Sequence, residues 1–365
     1  MTGRPSDVGT PLRFAIIGCG AIAINHLRAL RSIPGVEVAA VIDTHPGRAH
    51  RFAHEHGVEA WFDDVDSGLA SDLDAVTVCT PHRAHAAGVV AAAARGLHVL
   101  CEKPIAATLP EADRMIAAAE TARVRFGVVY QRRMWAGARR IRGALDRATL
   151  GRPITGSCVV QLRRDTEYFA EPWRGRWDTE GGGVLMTQAI HYIDLLQWFM
   201  GDAVEVSGRI GTLRHGDVIE VEDTAVATIE FASGALAVLQ AGTTFRPALG
   251  ARVQVSDREG RSASVLEYPE GSESIDVWTV DEPFVFASPF AGGSYDPPLA
   301  EVHARLADVH TLQIVDFVDA IRDDRDPVVT GREARKSLEI VSAVYESHRT
   351  GRPVRLAGAE ERARS

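Results

Sequence analysis

Over the first third of the chain the apolar positions fall into short runs separated by stretches with helical spacing. Residues 12–17 and 36–42 read as buried strands, with further strands at 73–79, 97–101 and 125–130. Helical runs lie between them, over 22–32, after strand 36–42 through residue 54, over 85–94 and over 109–122. Strand–helix alternation of this kind predicts a parallel sheet with helices on both faces. After about Arg132 the pattern changes. A helix over 138–148 is followed by strands at 154–162, 204–213, 224–231 and 235–243, some separated by turn signals such as Ser233–Gly234 and Glu259–Gly260. Consecutive strands with short turns predict a second, α+β domain with a mostly antiparallel sheet, completed by helices over 310–322 and 331–349. The expected organisation is α/β, with domains at 1–131 and 132–365. Residues 360–365 read as frayed.

Composition narrows the partners. The 365 residues carry a formal net charge of −9, which argues against a nucleic-acid partner, since phosphate backbones require a basic face. No segment approaches the roughly 20 apolar residues of a membrane helix, and residues 1–10 lack the apolar stretch of a signal peptide. A cytoplasmic location and no membrane partner are therefore expected. Cys19, Cys79, Cys101 and Cys158 are scattered and form no C-x-x-C pair, which suits buried thiols in a reducing compartment. His50 and His54 stand at helical i, i+4 spacing, but with no third ligand evident they read as a solvated face, and no metal is expected.

Gly18-Cys19-Gly20-Ala21-Ile22-Ala23 matches G-x-G-x-x-G/A in the strand–turn–helix context that a dinucleotide site requires. Gly18 permits the tight turn, Gly20 lets backbone approach a pyrophosphate at the helix N-terminus, and the small third position lets helix and strand pack closely. Asp43 ends the second strand about 20 residues on, where an acid binds ribose hydroxyls; its other reading is a cap on the following helix. Arg48 lies just beyond. NAD is the expected cofactor, with NADP the weaker alternative.

Three further stretches complete a pattern: Thr80-Pro81-His82, Glu102-Lys103-Pro104, and Gly181-Gly182-Gly183 followed by Thr187-Gln188-Ala189-Ile190-His191-Tyr192-Ile193-Asp194. Together with the glycine motif they resemble the family of glucose–fructose oxidoreductase, inositol dehydrogenase and the rhizopine-catabolism protein, over about residues 12–356. The resemblance implies a Rossmann domain, a C-terminal domain with a large open sheet, nicotinamide-dependent redox chemistry on polyols and sugars, and homodimers or homotetramers. It implies cofactor contacts from Gly18, Gly20, Ala21, Ile22, Asp43, Thr80, Pro81, His85, Glu102 and Lys103, with Glu102 near the nicotinamide ribose. It also implies catalytic roles for Lys103 and His191.

The residues read the same way on their own chemistry. Lys103 follows a strand, at the sheet edge where open α/β folds bind ligands, and Pro104 keeps it out of a helix. Its other reading is a surface lysine. If residues 184–200 form a regular helix, Thr187, His191, Asp194 and Trp198 share one face, a polar stripe on an apolar element. Many relatives carry Asp or Asn at the position of Thr187; a hydroxyl carries no charge there, so Lys103 leads as acid/base. Arg133, Thr187 and Asp194 are expected to bind substrate. So are Arg164, Tyr168, Trp173 and Arg174, which with Arg163, Arg176 and Trp177 make a run suited to anions and sugar faces; a solvated loop is the other reading.

The function expected is hydride transfer between NAD and a secondary alcohol or ketone carbon of a sugar, sugar acid, nucleotide sugar or cyclitol. Alternatives are a sugar ketoreductase, an NAD-dependent glycosidase, and a cofactor-sensing regulator without chemistry.

Overall fold

The computed structural model describes residues 11–287 and 296–356. The expectations for residues 1–10 and 360–365 lie outside the described residues. The chain divides into two compact units.

The first unit comprises residues up to 105, 110–129 and 310–331. Its six strands are β1 (Leu12–Ile17), β2 (Val36–Ile42), β3 (Ala60–Phe62), β4 (Ala75–Val78), β5 (His98–Cys101) and β6 (Phe126–Val128). They run in the order β3-β2-β1-β4-β5-β6, all parallel. Helices α1 (Ala23–Ser32), α2 (Arg48–His56), α3 (Val65–Leu69), α4 (His85–Ala93) and α5 (Leu109–Ala122) connect them. Strands buried on both faces need continuous apolar runs, and β4 is buried at all four positions. The short pair β3 and α3 was not expected; three strand residues and five helical ones leave too little periodicity to read. The linear division at 131/132 needs one correction. Residues 310–331 belong to the first unit, because Ile314, Phe317 and Val318 join Phe14, Leu27 and Leu100 in its core.

The second unit carries α6 (Ala136–Asp146), β7 (Pro153–Gln161), α7 (Ile190–Met200), β8 (Ala203–Gly211), β9 (Thr224–Phe231), β10 (Leu236–Gly242), β11 (Gly250–Asp257), β12 (Ser262–Glu267), β13 (Glu273–Trp278) and β14 (Val285–Phe286). Beyond these come α8 (Leu299–Arg322), whose residues from His310 onward belong to the first unit, α9 (Gly331–Thr350) and β15 (Val354–Arg355). Nine strands form one sheet in the order β14-β13-β12-β11-β7-β10-β9-β8-β15. Every pairing is antiparallel except β7 with β10. Alternation of buried and accessible positions, clearest in β9 and β11, gives the sheet one apolar face, and α7 packs against β7 and β11. Among the described residues no helix is long and apolar enough to cross a membrane.

Candidate active site

In the first unit the adjacent strands β1, β4 and β5 end side by side, and their carboxyl ends lead into Gly18, Thr80-Pro81 and Glu102-Lys103. Gly18 has φ +94°, and a Cβ there would lie 2.8 Å from the Cys79 carbonyl and the Thr80 nitrogen, so only glycine permits the crossing. At Gly20, by contrast, nothing stands within 4 Å of where a Cβ would be. The first turn of α1 has no side-chain cap. Ala21 is exposed and Ile22 half-buried. An open glycine turn ahead of uncapped helical N–H groups fits a dinucleotide pyrophosphate.

Asp43 is buried, and its carboxylate accepts hydrogen bonds from Cys19 N and His45 N, both at 2.8 Å. It thereby holds the glycine turn against the end of β2. Arg48 stands 3.6 Å from the same carboxylate. A carboxyl group fixed at this strand end suits ribose hydroxyls and disfavours a 2′-phosphate.

Two expected cofactor contacts require correction. His85 is wholly buried, its ring nitrogens each 2.9 Å from a carbonyl, of Thr80 and of Pro104. Burial lowers its pKa, and the neutral ring donates to one of the two. His85 therefore braces the loops after β4 and β5 and offers no atom to a ligand. The Glu102 carboxylate is turned inward as well. Oε1 lies 3.0 Å from His26 Nε2 and 3.8 Å from His310 Nε2, and Oε2 accepts from Lys103 N at 3.1 Å. Lys103 itself is half-buried.

The second unit holds the other group. The glycines 181–183 lead into a π-helical turn, Leu185–Ala189, and then α7. His191, Asp194 and Trp198 keep helical spacing on α7, while Thr187 lies in the π-helical turn before it. The Thr187 hydroxyl lies 2.8 Å from the Gly183 carbonyl and against Gln188 Oε1. His191 is 4 % exposed, with its ring edge-on to Tyr130, centroids 5.9 Å apart.

Three expected substrate contacts are instead internal ion pairs. Arg133 and Asp194, both buried, are joined by two hydrogen bonds of 2.7 Å, and Ser337 Oγ donates to the same carboxylate at 3.2 Å. Arg164 makes a bidentate pair with Glu270 at 2.9 and 2.6 Å. A buried guanidinium requires such a partner, and a partner far along the chain is invisible to motif reading. Tyr168, Trp173 and Arg174 do cluster: the Arg174 guanidinium lies 4.1 Å from the Tyr168 ring centre and 4.4 Å from that of Trp173. Arg174 and Gln188 both donate to the Tyr168 hydroxyl. Arg176 and Trp177 lie on the exposed side of this loop, bonded to Glu220.

Sequence reading missed Glu222, which is 1 % exposed and accepts from Gly183 N, Leu185 N and Tyr345 OH, each at 2.9 Å. It also missed His26. There a signal existed: His26 sits in the apolar stripe of α1 with Ala23 and Leu30. His50 and His54 are exposed.

Comparison with known proteins agrees with this geometry. Residues 12–130 match the model of an oxidoreductase family described by its NAD-binding Rossmann fold, and residues 142–356 match the same family's C-terminal alpha/beta domain. The chain is 28 % identical to scyllo-inositol 2-dehydrogenase (NAD(+)) of Bacillus subtilis (strain 168), covering 94 % of this chain and 96 % of that protein. It is also 28 % identical to D-apiose dehydrogenase of Paraburkholderia graminis, covering 96 % and 91 %. The crystal structure of the WlbA dehydrogenase from Bordetella pertussis, in complex with NADH and UDP-GlcNAcA, superposes with a TM-score of 0.79 at 29 % identity, over 95 % of this chain and 99 % of that one. With both halves matched in order, the chain belongs to the oxidoreductase family of glucose–fructose oxidoreductase, inositol dehydrogenase and MocA, and is an NAD-binding oxidoreductase.

Proposed function

We propose that this protein oxidises a secondary alcohol of a sugar, sugar acid, nucleotide sugar or cyclitol, or reduces the corresponding ketone. The observation that carries the reading is the position of Lys103. It follows the carboxyl end of β5, in line with the glycine turn after β1, where open α/β sheets bind ligands. Bound NAD supplies the hydride acceptor. Lys103 takes the hydroxyl proton as the carbonyl forms, and returns it in the reverse direction. His191 orients the hydroxyl or shares its proton, and Thr187 adds a neutral hydrogen bond. Trp173 and Arg174, half-buried beside Tyr168, are the loop groups suited to a sugar face and an acidic substituent. Arg164, committed to Glu270, is not among them.

The test is NADH absorbance during incubation with cyclitols, aldoses, uronic acids and nucleotide sugars. Turnover of at least one class is expected; none with any class, in either direction, sinks the proposal.

Self-association is part of the reading. The accessible face of the nine-stranded sheet exposes Ile154, Val226, Leu236 and Val238 at 47 to 60 %, more apolar side chain than a solvated sheet face carries without a partner. Sedimentation should give a dimer or tetramer, and a monomer at micromolar concentration would refute this. The four cysteines, free and buried, fit the reducing cytoplasm.

A further inference from the structure

His26 occupies a place where a polar side chain needs a reason. It lies in the buried stripe of α1 with Ala23, Leu27 and Leu30, and is 0 % exposed. An imidazole there is costly unless its polar atoms are satisfied. Its Nε2 meets Glu102 Oε1 at 3.0 Å, while its buried Nδ1 has no hydrogen-bond partner among the described residues, so Glu102 is the contact that holds the ring. Glu102 is itself only 7 % exposed. Its two oxygens divide their work: one faces His26 and, at 3.8 Å, His310 on α8, while the other accepts the backbone N–H of Lys103. Glu102 N in turn donates to the Val78 carbonyl at 2.9 Å, extending the pairing of the β4 and β5 edges. One carboxylate thus ties α1, α8 and the Lys103 backbone together.

We propose that His26 is a positioning residue for Lys103, acting through Glu102: it holds that carboxylate as a compensated buried anion and so fixes both the direction and the local charge of the Lys103 loop.

The groups that face Glu102 are His26 from α1, His310 from α8, Lys103 on the loop, His85 from α4 and the sulfur of Cys101. A buried carboxylate ionises only with a cation beside it. Burial works against charge on both partners. Even so, Cys79 and Glu102 raise the pKa of His26 to about 10, and His26, His310 and Lys103 lower that of Glu102 to about 2. An ionised His26–Glu102 pair is neutral overall. Lys103 then stands beside a dipole rather than a bare anion, and an uncompensated anion would hold the proton on Lys103 more tightly.

This inference rests on Lys103 being the acid/base of the proposed function. The experiment joins two readouts. The first is side-chain NMR of the histidines in the cofactor-free wild-type protein, which needs no variant to fold: His26 should remain an imidazolium at pH 8, and a neutral His26 at that pH overturns the inference. The second is the pH profile of kcat/KM on the best substrate. His26→Gln should move the acidic limb upward by at least about half a pH unit and lower kcat about tenfold or more. His26→Gln/Glu102→Gln, with the anion also removed, should bring the limb back. A limb unmoved in folded His26→Gln, with Lys103→Met inactive, overturns the inference alone. Normal turnover in Lys103→Met overturns the catalytic reading and the inference with it, so the two failures are distinguishable.

Discussion

The Glu222 carboxylate accepts the backbone N–H of Gly183 at 2.9 Å, and the two backbones run so close that a Cβ on Gly183 would lie 1.8 Å from the Glu222 carbonyl oxygen. The same carboxylate accepts from Leu185 N, in the π-helical turn that precedes α7. It therefore caps the helix carrying His191 from another segment, supplying the acceptor that helix N-termini otherwise take from a neighbouring side chain.

Gly183→Ala should consequently damage activity through structure. Over-packing against a backbone oxygen destabilises by about 3 kcal/mol. Thermal unfolding should show a clear drop, and an unchanged midpoint would mean that the turn relaxes without loss.

Glu222 also gives a pH dependence with a definite sign. Burial, partly opposed by the bonds from Leu185, Gly183 and Tyr345, raises its pKa from 4.5 to about 7. Between those values the folded chain holds a proton that the unfolded chain has released, so this group's contribution falls as pH rises from 4.5 to 7. The effect is on the order of 3 kcal/mol at most. Relative to Glu222→Gln, which cannot titrate there, the wild type should lose stability between pH 4.5 and 7 in thermal melts. A constant gap across that range would contradict the shift.

Asp43 holds the glycine turn through Cys19 N, and we expect it to set cofactor choice as well. Asp43→Ala should narrow the preference for NAD over NADP in fluorescence titrations. It should also weaken binding of both, because the Cys19 N–H loses its acceptor. Equal or tighter binding of NADP by the wild type would sink the assignment.

The arginines should separate by role. Arg174→Ala should raise KM for an acidic or nucleotide-linked sugar with kcat little changed. Arg164→Ala and Asp194→Asn should instead lower stability, by about 3–5 kcal/mol where a buried charge is left alone. Denaturant unfolding beside kinetics checks both, and a KM effect in Arg164→Ala without loss of stability would return that residue to the substrate.

Lys103→Met should lower kcat at least about a hundredfold while leaving NAD affinity nearly intact, and His191→Ala should cost less but alter the pH profile. Near-normal turnover in both variants would move the chemistry elsewhere.

What could be read from sequence followed the range of the physical constraint. Gly18, Asp43 and Lys103 were legible because each is fixed by a strand end a few residues away, so fold class and cofactor type follow from linear motifs. The partner of Arg133 lies 61 residues along the chain and that of Arg164 lies 106 along, and no spacing rule reaches so far. The π-helical turn that holds Thr187 was not legible, because a 3.6-residue period carries no sign of it. β11 and β12 escaped even though Ala251, Val253 and Val255 alternate with Arg252, Gln254 and Ser256 as a half-buried strand requires.

The placement of β7 has a consequence for how the second unit comes together. Its neighbours in the sheet are β10 and β11, which pair Thr155 with Leu236 and Gly156 with Val255, whereas β8-β9-β10 and β11-β12-β13 are each built from consecutive strands. Two meanders can therefore zip locally, but nothing joins them until a strand from much earlier in the chain inserts between their edges. Long chain closures are entropically expensive and slow. We expect folding to be limited by that insertion, with β7 as a keystone whose amides gain protection last in pulse-labelled hydrogen exchange. Early protection of β7 would show that the meanders grow from it. Until it inserts, β10 and β11 are two unsatisfied edges, and the unit is most exposed to pairing with the wrong chain in that interval.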